Sequence, residues 1–404
     1  MNTQKWFRIA IFNIIVVALY GSLMRYKIAF DFPFFNQKNL LHAHSHFAFG
    51  GWVSHLIYTG LAWLAAKYLS AEKIKKYHWL ILANLICSFG MLIAFTIEGY
   101  KFTSITFSTL TLIVSFIYGW VYIKDLKSFP ANNPSAPWIK TGLLLNILSA
   151  AGPLALAYTM AIKHVDSYFY LGSVYYYLHF QYSGWFFFGS MALVIAALPK
   201  GFPSLHNQFK VLAATAIPTF FLSILWAKLP MWLYILTVIA TVIQFVTWII
   251  ILKKLLTLKN YKAEQTYPNW VNIFFIAALF SITVKFLLQT ISVIPSLSQL
   301  VFGLRPIVIA YLHLVLLGVY SLFYIGYLFA NQWSAITPLA KISAFSFLVG
   351  VVFNELFLGV QGIVAFAYIP IPHINELLFF AAILLFSSAL FLYLSQWRKP
   401  RTNS

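Results

Sequence analysis

Three stretches of the sequence carry a histidine, a large apolar residue beside it and a glycine five residues on. They are His46-Phe-Ala-Phe-Gly-Gly51-Trp52, His179-Phe-Gln-Tyr-Ser-Gly184-Trp185 and His313-Leu-Val-Leu-Leu-Gly318-Val319. The histidines are 133 and 134 residues apart, from 46 to 179 and from 179 to 313, and are preceded at two residues by His44, Tyr177 and Tyr311. Neutral imidazole is a common metal ligand and a usual axial ligand to haem iron. Two imidazoles facing each other across a helix bundle make a six-coordinate haem, which passes electrons and leaves no open position for a gas. The plainer alternative is a set of hydrogen bonds between helices, worth about 1 kcal/mol each.

The first stretch holds more than one candidate. His42-Ala-His44-Ser-His46 is followed by His55. At roughly 100° per helical residue, His42 and His46 share a face and His44 points nearly opposite. One helix can therefore serve two sites, or the His42/His46 pair can chelate one metal by itself. The equal spacing of the three motifs favours His46 as the counterpart of His179 and His313.

The elements that position these residues follow from composition. Of 404 residues, 61% are hydrophobic and 9% charged. Soluble domains carry roughly 25% charged residues, so the excess apolar surface calls for lipid. Aromatics make up 19%, which suits interfacial belts and packing against large flat cofactors. The net charge of +19 is assigned to orienting loops rather than to nucleic acid. The single cysteine, Cys87, excludes an internal disulfide and any cysteine-rich metal or iron–sulfur site.

Apolar stretches of spanning length fall near 6–24, 40–66, 78–98, 103–123, 139–162, 170–197, 209–227, 230–252, 270–291, 304–329, 338–361 and 374–397. The first is read as a transmembrane helix rather than a cleaved signal. The expected fold is all-α: a polytopic membrane protein with twelve transmembrane helices, forming one transmembrane domain over 1–404. The motif spacing divides it into three four-helix pseudo-repeats, about 1–130, 131–265 and 266–404. With an inside N-terminus most lysines and arginines share one side, Lys163 falling on the other. Those on the shared side include Lys262, Arg398, Lys399 and Arg401. The positive-inside rule then places both termini in the cytoplasm, of a bacterial inner membrane by expectation.

On these motifs the chain resembles the catalytic subunit of the haem–copper oxidases and nitric oxide reductases, as in cytochrome c oxidase subunit I. The resemblance implies twelve spans around a pseudo-threefold axis, with axial histidines to a low-spin haem from the second and tenth helices. Tyr311-Leu-His313 followed by Gly318 is similar to the tenth-helix motif, with His313 at the low-spin haem ligand and Tyr311 at the high-spin one. Leu41 to Gly51, with Phe47-Ala-Phe-Gly-Gly51, is similar to the second helix of the C-type oxidases and offers His42, His44 or His46. His179-Phe-Gln-Tyr-Ser-Gly184 is similar to the sixth-helix motif of nitric oxide reductases, with Ser183 in place of a glutamate. Val211 to Trp226 lacks the family's histidine pair. The implied cofactors are haem b, held by His46 or His42 with His313, and copper or non-haem iron at His179, with His44 beside it. The implied partners are the lipid bilayer and a cytochrome-type electron donor or partner subunit. The implied chemistry is electron transfer toward dioxygen or nitric oxide. A non-haem transporter or metal-handling protein, and a haem-binding sensor or assembly protein without turnover, are the competing readings.

Other polar residues fall within or near the spans. Glu98, Glu355 and Glu376 are expected to pair at the interface or to relay protons. Lys285, inside the ninth span, is expected to snorkel or to meet a haem propionate, and Arg25, Lys27, Lys38 and Arg305 lie on the same outer side. His78, His164, His206 and His373 sit near loop ends and are expected in solvent. Tyr175, Tyr176 and Tyr177 are expected to pack.

Overall fold

The computed structural model describes residues 2–162, 166–261, 267–298, 304–365 and 369–397. Lys163, His164, Lys262, Arg398, Lys399 and Arg401 lie outside these. Among the described residues every regular element is helical. Eleven helices are long and apolar enough to cross a membrane: Thr3–Ala29, Ala71–Glu98, Phe102–Ser128, Ala136–Ala161, Ser167–Ala197, His206–Ala227, Met231–Asn260, Asn269–Ile291, Arg305–Ala330, Pro338–Ala365 and Ile374–Ser395. Large apolar side chains on them face outward, Ile97 at 76% exposure, Phe102 at 85% and Phe280 at 67%. Such a surface is stable against lipid and not against water. The chain is a multi-pass integral membrane protein.

The stretch expected at 40–66 is helical too, from Gln37 through Ala65, but it is not among the eleven. Four histidines and its glycines dilute its apolar content. It is also the most enclosed part of the chain. From Phe47 to Ala65 every residue but Trp63 is buried. A helix wrapped by its neighbours on all sides needs no lipid-facing stripe, so it tolerates polar groups that an outer helix would not.

By contacts the chain forms two compact units, Met1–Tyr118 with Gln265–Ala278 and Ile309–Ser404, and Gly119–Glu264 with Leu279–Val308. In the first, Thr3–Ala29 packs on Ile374–Ser395 and on Gln37–Phe47, which also lies on Ala71–Glu98. In the second, Ala136–Ser149 packs on Phe180–Trp185 and on Phe186–Ala197, and Ala151–Ala161 on Ser167–His179.

Three helices depart from α geometry at mid-length. Ala48–Ser54 (π1), Phe180–Trp185 (π2) and Leu314–Ser321 (π3) are wound as π-helix. Each begins one or two residues after the motif histidine and contains the motif glycine. A π turn costs hydrogen-bond geometry and is uncommon, and it is found frequently at functional sites.

The helix His206–Ala227, expected as a continuous span, is broken. It is α-helical over His206–Thr215 and 3₁₀ over Pro218–Ala227, with Ile224 outside helical geometry and Lys228 left-handed at φ 54°. Pro218 has no N–H and its ring crowds the preceding turn, which stops the α ladder there.

Close packing in the second unit rests on Gly152. A Cβ there would lie 2.5 Å from the Ser173 carbonyl oxygen and 3.0 Å from Tyr177 N, whereas at Gly172 it would meet nothing within 4 Å. Backbone cannot swing aside as a side chain can. Gly152→Ala is expected to cost about 1–3 kcal/mol of stability, and Gly172→Ala to be neutral or mildly stabilising. Thermal unfolding of the detergent-solubilised variants checks this.

Candidate functional site

A π turn leaves carbonyl groups without their usual i+4 partner, and inside a membrane these must be satisfied by other groups. Around π1 two asparagines do so. Asn84 Nδ2 donates to the Gly50 carbonyl at 3.0 Å, and Asn13 Nδ2 donates to that of Gly51. Both asparagines are buried, on Ala71–Glu98 and Thr3–Ala29. At π3 the Ser321 hydroxyl donates to the Leu316 carbonyl at 2.8 Å. The Trp52 indole N–H donates to the same hydroxyl at 2.9 Å, tying π1 to π3 within the first unit. Beside π2, Gln181 donates to Asn146 Oδ1 and to Ser149 Oγ, both at 2.8 Å.

The histidines just before these turns sort into three groups. His313 comes within electrostatic range of His44 and of Arg25. Its Nδ1 lies 2.8 Å from the Ile309 carbonyl oxygen. His44 Nδ1 lies 3.0 Å from the Val17 carbonyl oxygen on Thr3–Ala29, and its ring rests against Gly21. A carbonyl accepts only from N–H, so both rings carry their proton on Nδ1 and present Nε2 as a lone pair. This is the arrangement of metal-ligating histidines, whose second nitrogen is fixed by a backbone carbonyl or carboxylate. Arg25 lies one turn beyond Gly21 and has no carboxylate partner among the described residues.

His42 and His46 form the second group, on the opposite face. Both rings contact Tyr100, at 4.6 and 6.2 Å between centroids, and His46 stacks on Phe95 at 4.5 Å. His46 Nε2 lies 3.1 Å from the Tyr100 hydroxyl, and His42 Nε2 is buried without a hydrogen-bond partner. The spacing of the three motifs selected His46 as the partner of His313. In the fold it is His44 that comes within electrostatic range of His313.

His179 belongs to the second unit and is 1% exposed. Its Nε2 donates to the Ala216 carbonyl at 2.9 Å, and its Nδ1 has no partner. That carbonyl lacks its α-helical partner because Pro218 breaks the helix, and besides His179 it accepts from Thr219 Oγ1 at 3.3 Å. The Phe220 amide, which would close the α bond to Ala216, turns instead to Ile217 at 3.0 Å. Lys285 is in electrostatic range of His179 and is itself 3% exposed. Its Nζ donates to Ser183 Oγ at 3.0 Å and lies 4.2 Å from the centre of the Phe286 ring. Lys285 neither snorkels nor meets an acid among the described residues.

A further cluster was not assigned a role from sequence. His55 is 0% exposed, with Nε2 3.1 Å from the Trp6 carbonyl oxygen. The Trp6 indole donates to His78 Nδ1 at 3.2 Å, so His78 is half-buried and paired rather than solvated. Sequence spacing gives no sign of this link, which spans 72 residues. His206 is exposed, and exposed His373 pairs with Glu376 at 3.2 Å. Glu98 accepts from the Ser104 amide at 3.0 Å and so caps Phe102–Asp125. Glu355 accepts from Asn354 at 3.1 Å. Tyr176 packs on Phe180 and Phe220.

Among the described residues no three His, Cys, Asp or Glu side chains converge as a metal site. Among these residues the imidazoles gather in pairs at most. No model of a known protein family matches the chain, and no curated protein is significantly similar to it.

Lys285 is expected to destabilise the fold, because a buried ammonium without an acid loses its hydration and regains one hydroxyl. Lys285→Met, which keeps the volume, should stabilise by about 1–4 kcal/mol in thermal unfolding. A lower midpoint for this variant would mean that a bound anion or an acid compensates the charge.

Proposed function

We propose that the protein binds haem b between His44 and His313 and passes electrons through it. The observation that carries this reading is the pair of imidazoles with both Nδ1 atoms anchored to backbone carbonyls. Anchoring fixes ring orientation and tautomer, and it makes each Nε2 a better donor. Two such nitrogens are what a six-coordinate haem iron requires of a protein. The group would supply a one-electron couple; the chain's own residues hold it and keep water away. Arg25, positive and without an acid, fits a propionate at the same end of the site.

The same reading organises the fold. The helical run Gln37 to Ala65 serves as a twelfth span, enclosed by its neighbours from Phe47 onward. The three π turns, each set beside a motif histidine, support three four-helix pseudo-repeats, and the positive-inside rule puts both termini on the cytoplasmic side of a bacterial inner membrane. A cytochrome-type donor or partner subunit would bring the electron. Delivery to dioxygen or nitric oxide, which the family resemblance implies, calls for a second metal beside an open iron. His179 would be its remaining ligand. The described residues gather no three-donor set for that metal. Electron transfer or sensing through a closed haem is therefore the better-supported form of the reading.

Protein expressed with ample haem should show a Soret band, and on reduction the sharp visible bands of a six-coordinate b-type haem. Carbon monoxide should leave that spectrum unshifted. His44→Ala and His313→Ala should each abolish it, and His46→Ala and His179→Ala should retain it. Purified protein without a Soret band under these conditions would overturn the proposal. Loss in His46→Ala with retention in His44→Ala would move the ligand to the histidine that the motif spacing favours.

A further inference from the structure

Besides this pair, the structure assigns a second metal site to the opposite face of the same helix: His42, His46 and Tyr100 bind a divalent transition-metal ion, with copper(II) the tightest. His42 and His46 are one turn apart, and both lie within the regular α-helix Gln37–Phe47. The π turn begins only at Ala48, so the i, i+4 spacing that places two side chains about 5–6 Å apart is undisturbed. Both rings abut Tyr100, whose hydroxyl is 3.1 Å from His46 Nε2. His42 Nε2 is buried with no hydrogen-bond partner, an arrangement that is costly unless something occupies it.

Two imidazole nitrogens and one phenol oxygen form a nitrogen–oxygen donor set of the kind copper(II) takes in tetragonal geometry, with water completing it. Half-burial of the rings leaves a path to solvent for that water. Binding exchanges the phenol proton for the metal and releases it to solvent. Phe95, stacked on His46, holds that ring in register. Lys38 is in electrostatic range of His42, but it is exposed on a flexible stem and can turn outward. The site shares no ligand with the His44/His313 pair, so neither assignment depends on the other.

The test is equilibrium dialysis of untagged, full-length protein in detergent against copper(II), with metal counted per chain. One equivalent should bind, with a phenolate-to-copper absorption band. His42→Ala and His46→Ala should each weaken binding by at least about tenfold while leaving any haem spectrum in place. His44→Ala should keep the copper and lose the haem. Tyr100→Phe, the mildest change, should remove the band while the chain stays folded. Copper binding unchanged in the His42→Ala/His46→Ala double variant overturns the site. Retention of the band in Tyr100→Phe overturns the phenol's part in it.

Discussion

Inside lipid every backbone N–H and C=O must find a partner within the protein, and the rest of this structure is organised by that demand. Most of the chain meets it with unbroken α-helix. At π1, π2, π3 and Pro218 the ladder is interrupted, and at π1, π3 and Pro218 side chains claim carbonyl groups that the interruption releases. Asn13 and Asn84 hold the carbonyls of Gly51 and Gly50. Ser321 holds that of Leu316, and His179 that of Ala216. Buried asparagines on outer helices would be liabilities by themselves; next to a π turn they complete the backbone. The polar residues of the interior are thus explained by the distortions, and the distortions adjoin the motif histidines.

The same demand decides which nitrogen of each histidine is available. A ring whose Nδ1–H is spent on a carbonyl has only Nε2 to offer, and that is the state of His44 and His313. His179 is the reverse: its Nε2–H is spent on Ala216 and its Nδ1 is left over. Nδ1 is the nitrogen nearer the backbone and harder for a large planar cofactor to reach. The motif histidines His313 and His179 are therefore alike in sequence and unlike in chemistry. His179 reads better as the lock on the broken helix than as a haem ligand.

Much of this was legible in the sequence. Hydropathy placed all eleven spanning helices and the run at 40–66 besides, and the shared His-x4-Gly spacing falls at the three places where the helices wind as π. Helical rotation also separated His44 from His42 and His46. What spacing does not carry is the identity of the neighbour on each face. His44 and His46 differ by two residues, about 200° of turn, so choosing between them requires knowing that Thr3–Ala29 lies on one side and Ala71–Glu98 on the other. The pairing of Lys285 with Ser183 crosses 102 residues and likewise leaves no local trace. Pro218 was visible, but an apolar run on both sides hid the break. The span 40–66 shows the converse: it is placed from the sequence but is not among the eleven most apolar helices, because burial by protein, rather than lipid, permits histidine.

That last helix concentrates the structure's purpose. A helix with protein packed on opposite faces can present different chemistry to each, which a helix facing lipid on one side cannot do. Gln37–Phe47 offers His44 toward Thr3–Ala29 and His42 with His46 toward Ala71–Glu98, and π1 follows at once. The extra residue of a π turn rotates everything after it relative to everything before. Trp52 is thereby free to tie to Ser321 while the histidines keep their own register. Removing the π turn would leave the imidazoles in place and turn the lower helix away from π3. The bulge is what lets one helix serve a ligand site above and a packing site below.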